Sequence, residues 1–227
     1  MNIIVTGANK GIGLSLVKKY CDLKFNVFAF SRSIDNLKKI KSKYDNFNYI
    51  SFDLEKGDYD KELMPSIKKH MRGKVDVVIN NAGFLVNKKM LDLSKMDIVK
   101  SFQINVFSIF SLIKSIDVFL KSGSHIINIS SLGGVPYTKK LIGLSAYSSS
   151  KAAVTVLTEC FAEEFKERGI LCNCFALGAV KTDMLKKAFP SFKGGESVDF
   201  VAKEIVDFST SKDKLLTGKI INLASSF

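Results

Sequence analysis

Short apolar runs alternate with longer amphipathic segments along nearly the whole chain. Residues 1–6, 26–30, 47–52, 75–79, 124–131, 170–176 and 219–223 are rich in Ile, Val and Phe and have the length of strands. Between them, apolar positions recur at helical spacing: LSLVKKYCDL directly after the first run, then 34–44, about 60–71, about 92–120, 147–168 and about 197–210. Near-continuous apolar strands separated by helices predict a parallel sheet covered on both faces, as a single α/β domain spanning 1–227. Residues 132–144 read as an irregular loop and 185–195 as a mobile lid.

Composition narrows the class. Of 227 residues, 46% are apolar and 25% charged, the balance of a globular domain. No apolar run approaches the roughly 18 residues that span a bilayer, so no membrane segment is expected. The first strand leads at once into a glycine turn and leaves no room for a signal peptide, which suggests a cytoplasmic protein. The net charge of +12 raises the question of nucleic acid. Its lysines are spread over the polar faces of predicted helices without an aromatic-interleaved stripe, so solvated surface is the better account. Cys21, Cys160, Cys172 and Cys174 lack metal-ligand spacing and read as reduced core or near-core thiols. Two histidines, His70 and His125, are too few for a His-rich metal site, and none is expected.

Candidate chemistry falls at the carboxyl ends of predicted strands. Gly7, Gly11 and Gly13 stand between a strand and a helix, where a backbone turn and a helix N-terminus can cradle a pyrophosphate. The second strand ends at Arg32, where an acid would bind a ribose 2′-hydroxyl and an arginine accommodates a 2′-phosphate. With Lys10 in the first turn, NADP(H) is favoured over NAD(H). Asn80-Asn81-Ala82-Gly83 ends the fourth strand, Asn105 interrupts an apolar helix, and Ser130-Ser131 ends the fifth strand. In SAYSSSK, Tyr147 and Lys151 are one helical turn apart and share a face. A fixed ammonium there is expected to draw the phenol pKa down toward neutral, making it a proton donor or acceptor. Thr182 is a candidate helix N-cap.

Taken together, TGANKGIG, Asp53-Leu54, NNAG, Asn105, NISS, Tyr147-x-x-x-Lys151 and GAVKTDM resemble the short-chain dehydrogenase/reductase family over nearly the whole chain. The resemblance implies a Rossmann-like three-layer fold with a doubly wound parallel sheet of about seven strands. It implies that Asn105, Ser131, Tyr147 and Lys151 are catalytic. Tyr147 would exchange the proton, Ser131 would orient the substrate oxygen, and Asn105 would anchor a proton-relaying water. Lys151 would hold the nicotinamide ribose and lower the Tyr147 pKa. Gly7, Gly11 and Gly13 would hold the pyrophosphate, Asp53 the adenine, Asn80, Ala82 and Gly83 the ribose side, and Thr182 the carboxamide. Asn9, Lys10, Ile12, Arg32, Leu54, Gly178 and Val180 complete the implied cofactor set, with Tyr147 and Lys151 touching cofactor as well. The implied protein is an NADPH-dependent carbonyl reductase of a small molecule, pairing as a homodimer or homotetramer. The alternatives are an NAD-linked alcohol dehydrogenase of the same family and a non-catalytic NADP(H) sensor. Two departures stand out: a wider gap between Ser131 and Tyr147, and Leu177-Gly178 where the family has Pro-Gly. The first predicts that the loop VPYTKKLIG bulges outward, and the second a looser segment after the sixth strand.

Overall fold

A computed structural model describes residues 1–71, 73–211 and 216–224; the expected domain span of 1–227 runs beyond them. Seven strands form one sheet: β1 (Asn2–Thr6), β2 (Asn26–Ser31), β3 (Phe47–Ser51), β4 (Val75–Asn80), β5 (Leu120–Ser131), β6 (Leu171–Leu177) and β7 (Ile220–Leu223). Their order is β3-β2-β1-β4-β5-β6-β7, and every pairing is parallel. The helices are α1 (Gly11–Asp22), α2 (Asp35–Lys41), α3 (Met64–Met71), α4 (Lys95–Phe102), α5 (Ser108–Ile116), α6 (Ser145–Glu164), α7 (Asp183–Ala188) and α8 (Val198–Thr210). This is the expected Rossmann-like architecture.

Alternation along the strands splits the core in two. Ile4, Phe28, Val78 and Ile126 point to one face and pack with apolar residues of α3, α5 and α6. Ile3, Val27, Val77 and Ile127 point to the other and pack with α1, α2 and α8. A strand with period-two side chains that is buried on both faces must be apolar throughout, which is why the runs were continuous. From β1 the chain winds outward to β3 and then returns to β4 on the far side of β1. That reversal opens a crevice at the carboxyl ends of the central strands, where such sheets take ligands.

Several boundaries differ from expectation. β5 begins at Leu120 rather than Ser124, because Leu120 pairs with Val75 ahead of a register shift. Gly123, at φ 79°, made that stretch read as a turn. The single long helix expected over 92–120 is α4 and α5 joined by a π-helical turn, Gln103–Phe107. Its full extent, Lys95–Phe119, is by length and composition apolar enough to cross a membrane, with half of its most apolar window buried. The expectation rested on unbroken apolar runs, which charges such as Lys114 interrupt. Here Ile109, Leu112, Ile113 and Ile116 are buried against the sheet.

The four thiols are free, and Cys160 on α6 is exposed, which corrects its placement in or near the core. His125 is buried, with Nε2 2.9 Å from Asn173 Nδ2, a structural position as expected. Leu177 does not loosen the end of β6. It continues the ladder opposite Ser131 and Leu223, and the Gly178 amide donates to the Leu223 carbonyl at 3.0 Å, an ordinary sheet distance.

Candidate active site

The crevice is a cavity of about 630 Å³ walled by the ends of six strands and the segments that follow them. Gly7, Asn9, Lys10, Gly11 and Ile12 come after β1, and Arg32 after β2. Asp53 and Leu54 come after β3, and Asn81, Ala82 and Gly83 after β4. Ser130 and Ser131 end β5, while Gly178, Val180 and Thr182 follow β6; Tyr147 and Lys151 complete the wall from α6.

Steric limits shape the turn after β1. Gly7 has φ 65°, and a Cβ there would lie 2.7 Å from the Ala82 Cα, so the β1 and β4 turns touch backbone to backbone. Gly13 does not line the cavity. A Cβ on it would meet Asn81 Nδ2 and Gly7 O, each at 2.6 Å, so this glycine lets α1 close on the strand ends. Asn81 Nδ2 donates to the carbonyls of Thr6 (2.9 Å) and Gly7 (3.2 Å), while Thr6 Oγ1 accepts from the Asn81 and Ala82 amides. The α1 N-terminus, at Lys10, has no side-chain cap. Its first amides therefore open toward the cavity without a side-chain acceptor, an arrangement suited to an anion. Asn9 is fixed by Asn36, whose backbone amide donates to Asn9 Oδ1 at 3.0 Å, and its Nδ2 reaches Ser33 Oγ at 3.2 Å. Lys10 and Arg32 are exposed at this end, and neither is in an ion pair among the described residues.

Asn80 and Asn105 lie outside the cavity wall. Asn80 is buried and donates to Asn128 Oδ1 at 2.8 Å, so Asn81 rather than Asn80 meets the cavity, correcting the expected ribose-side set. Strand alternation accounts for the difference, since Asn80 still belongs to β4 and its side chain turns into the sheet layer. Asn105 sits in the π-helical turn, 1% exposed. Its Oδ1 accepts from the Phe84 amide (2.7 Å), and its Nδ2 donates to Phe84 O (2.9 Å) and Ser150 Oγ (2.8 Å). Both of its N–H groups are thereby used within the protein.

The remaining groups converge at the end of β5. Ser130 Oγ donates to the Lys151 carbonyl at 2.8 Å, and Lys151 Nζ donates to the Ile129 carbonyl at 2.7 Å. The 3-10 turn Leu132–Gly134 lies so close to α6 that a Cβ on Gly134 would meet the Lys151 carbonyl carbon at 2.5 Å. Ser131 Oγ accepts from the Gly133 amide and also interacts with the Tyr147 hydroxyl. Lys151 is buried, with Nζ 5.9 Å from the centre of the Tyr147 ring.

Electrostatics here run opposite to expectation for the phenol. Burial is the largest influence and pushes Tyr147 up to about 12, against a smaller downward pull from Ser131. The same desolvation pushes Lys151 down to about 8, opposed in small part by the Cys174 thiol. The expected lowering of Tyr147 by Lys151 is absent because the ammonium is drawn to the Ile129 carbonyl, and removing a phenolate from water costs more than the remaining attraction returns.

Sequence reading missed Ser150, Phe84 and Ile129. Ser150 is fully buried, accepts from Asn105 and donates to the Tyr147 carbonyl at 2.7 Å. Its position three residues after Tyr147, on the same helical face, was the available signal. The backbone partners at Phe84 and Ile129 carry no signal in residue type. Thr182 Oγ1 accepts from the Leu185 amide and caps α7, as expected. The segment 185–195 is α7 followed by a loop whose base is pinned where Lys181 N donates to Glu196 O and Glu196 N to Ala179 O.

A family model described as short chain dehydrogenase matches residues 1–192. The 7alpha-hydroxysteroid dehydrogenase of Paraclostridium sordellii is 30% identical, covering 99% of this chain and 90% of that protein. The 3-oxoacyl-[acyl-carrier-protein] reductase FabG of Staphylococcus epidermidis is 27% identical, covering 97% and 96%. A solved structure, ElxO with NADP bound, superposes with a TM-score of 0.82 at 27% identity, covering 97% of this chain and 96% of that one.

Replacing Ser150 by Ala leaves a buried Asn105 donor without its acceptor. The expected loss is about 1–3 kcal/mol of unfolding free energy, read from urea unfolding at constant slope. Unchanged stability would mean that the Asn105–Ser150 bond does not hold the first turn of α6.

Proposed function

This chain belongs to the short-chain dehydrogenase family, and from that premise we propose that it is an NADPH-dependent reductase of ketones or aldehydes. The observation that carries this reading is the convergence of Tyr147, Ser131 and Lys151 in one cavity with an uncapped helix N-terminus and with Lys10 and Arg32, neither in an ion pair among the described residues. The cavity fits a phosphorylated dinucleotide. The Gly7–Ala82 contact leaves room for a backbone cradle but not for a side chain, and the open α1 amides suit a pyrophosphate. Lys10 and Arg32 would meet a 2′-phosphate, and Asp53 with Leu54 would flank the adenine. Thr182, Gly178 and Val180 would lie beside the nicotinamide. When bound, the dinucleotide supplies the hydride.

The chain's own residues manage the proton and the orientation. Ser131 donates a hydrogen bond to the carbonyl oxygen and so aims the carbonyl carbon. Tyr147 gives its proton to that oxygen as negative charge develops on it. A phenol held up to about 12 stays protonated at neutral pH, which suits it to the reductive direction. Lys151, held down to about 8, is cationic below that pH and loses its charge above it, so its charged hydrogen bond to the Ile129 carbonyl weakens in alkali. Asn105 and Ser150 position Tyr147 through its backbone. The water-anchoring role expected of Asn105 would fall to its other polar groups, since its two side-chain N–H groups are engaged.

The same reading includes a single catalytic domain, a cytoplasmic setting and self-association. Val99, Phe107 and Phe110 on α4, the π-helical turn and α5, with Val156 on α6, are exposed apolar side chains on the helices expected to pair, which supports a homodimer or homotetramer.

Tyr147→Phe is expected to lower carbonyl reduction by about 100-fold or more, the ordinary worth of a positioned acid, with NADPH binding retained. Steady-state kinetics beside a fluorescence titration checks this; unchanged turnover contradicts it. Arg32→Asp is expected to weaken NADPH binding by about tenfold to a hundredfold, as for loss of a charged hydrogen bond, while sparing NADH. A wild-type preference for NADH would contradict the cofactor assignment.

A further inference from the structure

Beside the catalytic cavity lies a second one of about 540 Å³. The two share Gly133, Leu141, Leu144 and Ser148 as a common wall, and one member of that wall has no side chain. The second cavity is built by the loop that the wide Ser131–Tyr147 gap provides, facing the segment after β4. Its lining is largely apolar, with Met90 and Ile142 at its open edge exposed at 69% and 83%.

Charge in the second cavity is of one sign. Lys89 and Lys140 line it, and no carboxylate does so among the described residues. Lys140 Nζ is held by the Val135 carbonyl and by Thr138 Oγ1 (2.9 Å), which fixes an ammonium at the mouth without neutralising it. Neighbouring Lys88 is already paired with Asp97 at 2.7 Å, whereas neither Lys89 nor Lys140 is in an ion pair among the described residues. The rim is also tied together. The Lys88 amide donates to the Gly143 carbonyl at 3.0 Å, and Asn87 Nδ2 donates to the Ala188 carbonyl at 2.6 Å. Three segments that form the substrate end of the crevice are therefore cross-linked around it, so little ordering would be charged against a ligand.

Resting on the carbonyl-reductase reading, we propose that the substrate is an amphipathic carbonyl compound with a distal anionic group. Its carbonyl lies at Tyr147, its apolar body crosses the shared wall along Leu141 and Leu144, and its anion meets Lys140 and Lys89. Neutral ketones of the same length fill the apolar lining but leave the two ammonium groups unmatched. Acidic substrates without an apolar body gain the charge contact but leave Met90 and Ile142 wet.

The test uses two probe series with NADPH: methyl ketones of increasing chain length, and the matching keto acids with the carboxylate at the far end. For at least one chain length, kcat/KM for the keto acid is expected to exceed that for the ketone by about fivefold to tenfold at low salt, the worth of one or two partly exposed ion pairs. The ratio falls as salt rises. It falls toward one in Lys89→Ala, and in Lys140→Met, which keeps the apolar stem over the loop. Equal kcat/KM across both series in the wild type, or a preference that survives in both variants, overturns the proposal while leaving the reductase reading intact. No reduction of either series by protein that binds NADPH overturns both.

Discussion

The first two turns of α6 are fastened to the end of β5 on one side and to the segment after β4 on the other, and the rest of the site follows from that attachment. Ser130 holds the Lys151 carbonyl, and Lys151 in turn spends its ammonium on the Ile129 carbonyl. A helix that begins there must carry Tyr147 on the face turned to the sheet's rim, beside Ser131. On the far side, Ser150 and Asn105 connect the same turn to Phe84, next to the glycine that ends the β4 turn. The phenol is therefore positioned by buried hydrogen bonds to backbone as well as by its own contact with Ser131. This is the kind of support that keeps a reacting group within a fraction of an ångström of its place.

Burial has a price in charge. The same enclosure that fixes Tyr147 and Lys151 disfavours the ionised form of each, raising one and lowering the other. In the free protein at neutral pH the phenol stays protonated, and the Lys151 ammonium, though weakened, keeps its charge. A protonated phenol is the form a reductase requires, whereas an oxidising enzyme would need that phenol to release its proton readily.

Much of the architecture was legible because it depends on pattern. Continuous apolar strands could only be covered on both faces, and the glycine turn, Arg32, Ser131, Tyr147 and Lys151 all fell at strand ends, where a parallel sheet opens its crevice. What could not be read was direction within a turn and contact with backbone. Asn80 and Asn81 are identical in type, and only strand alternation sends the first inward and the second to the cavity. The Ile129 carbonyl that captures Lys151 is invisible in residue type, so the sequence suggested a cation acting on tyrosine where the fold has it acting on a strand. The start of β5 was hidden for a related reason, because Leu120 pairs ahead of a glycine that looks like a turn.

The central claim is that enclosure outweighs the neighbouring cation at Tyr147. Difference titration of near-ultraviolet phenolate absorbance, wild type minus Tyr147→Phe in the cofactor-free protein, measures it directly. The account predicts no ionisation of this tyrosine up to and beyond about pH 10, the ordinary value for a phenol. A phenolate signal that titrates near neutral pH, lost in the variant, would contradict it.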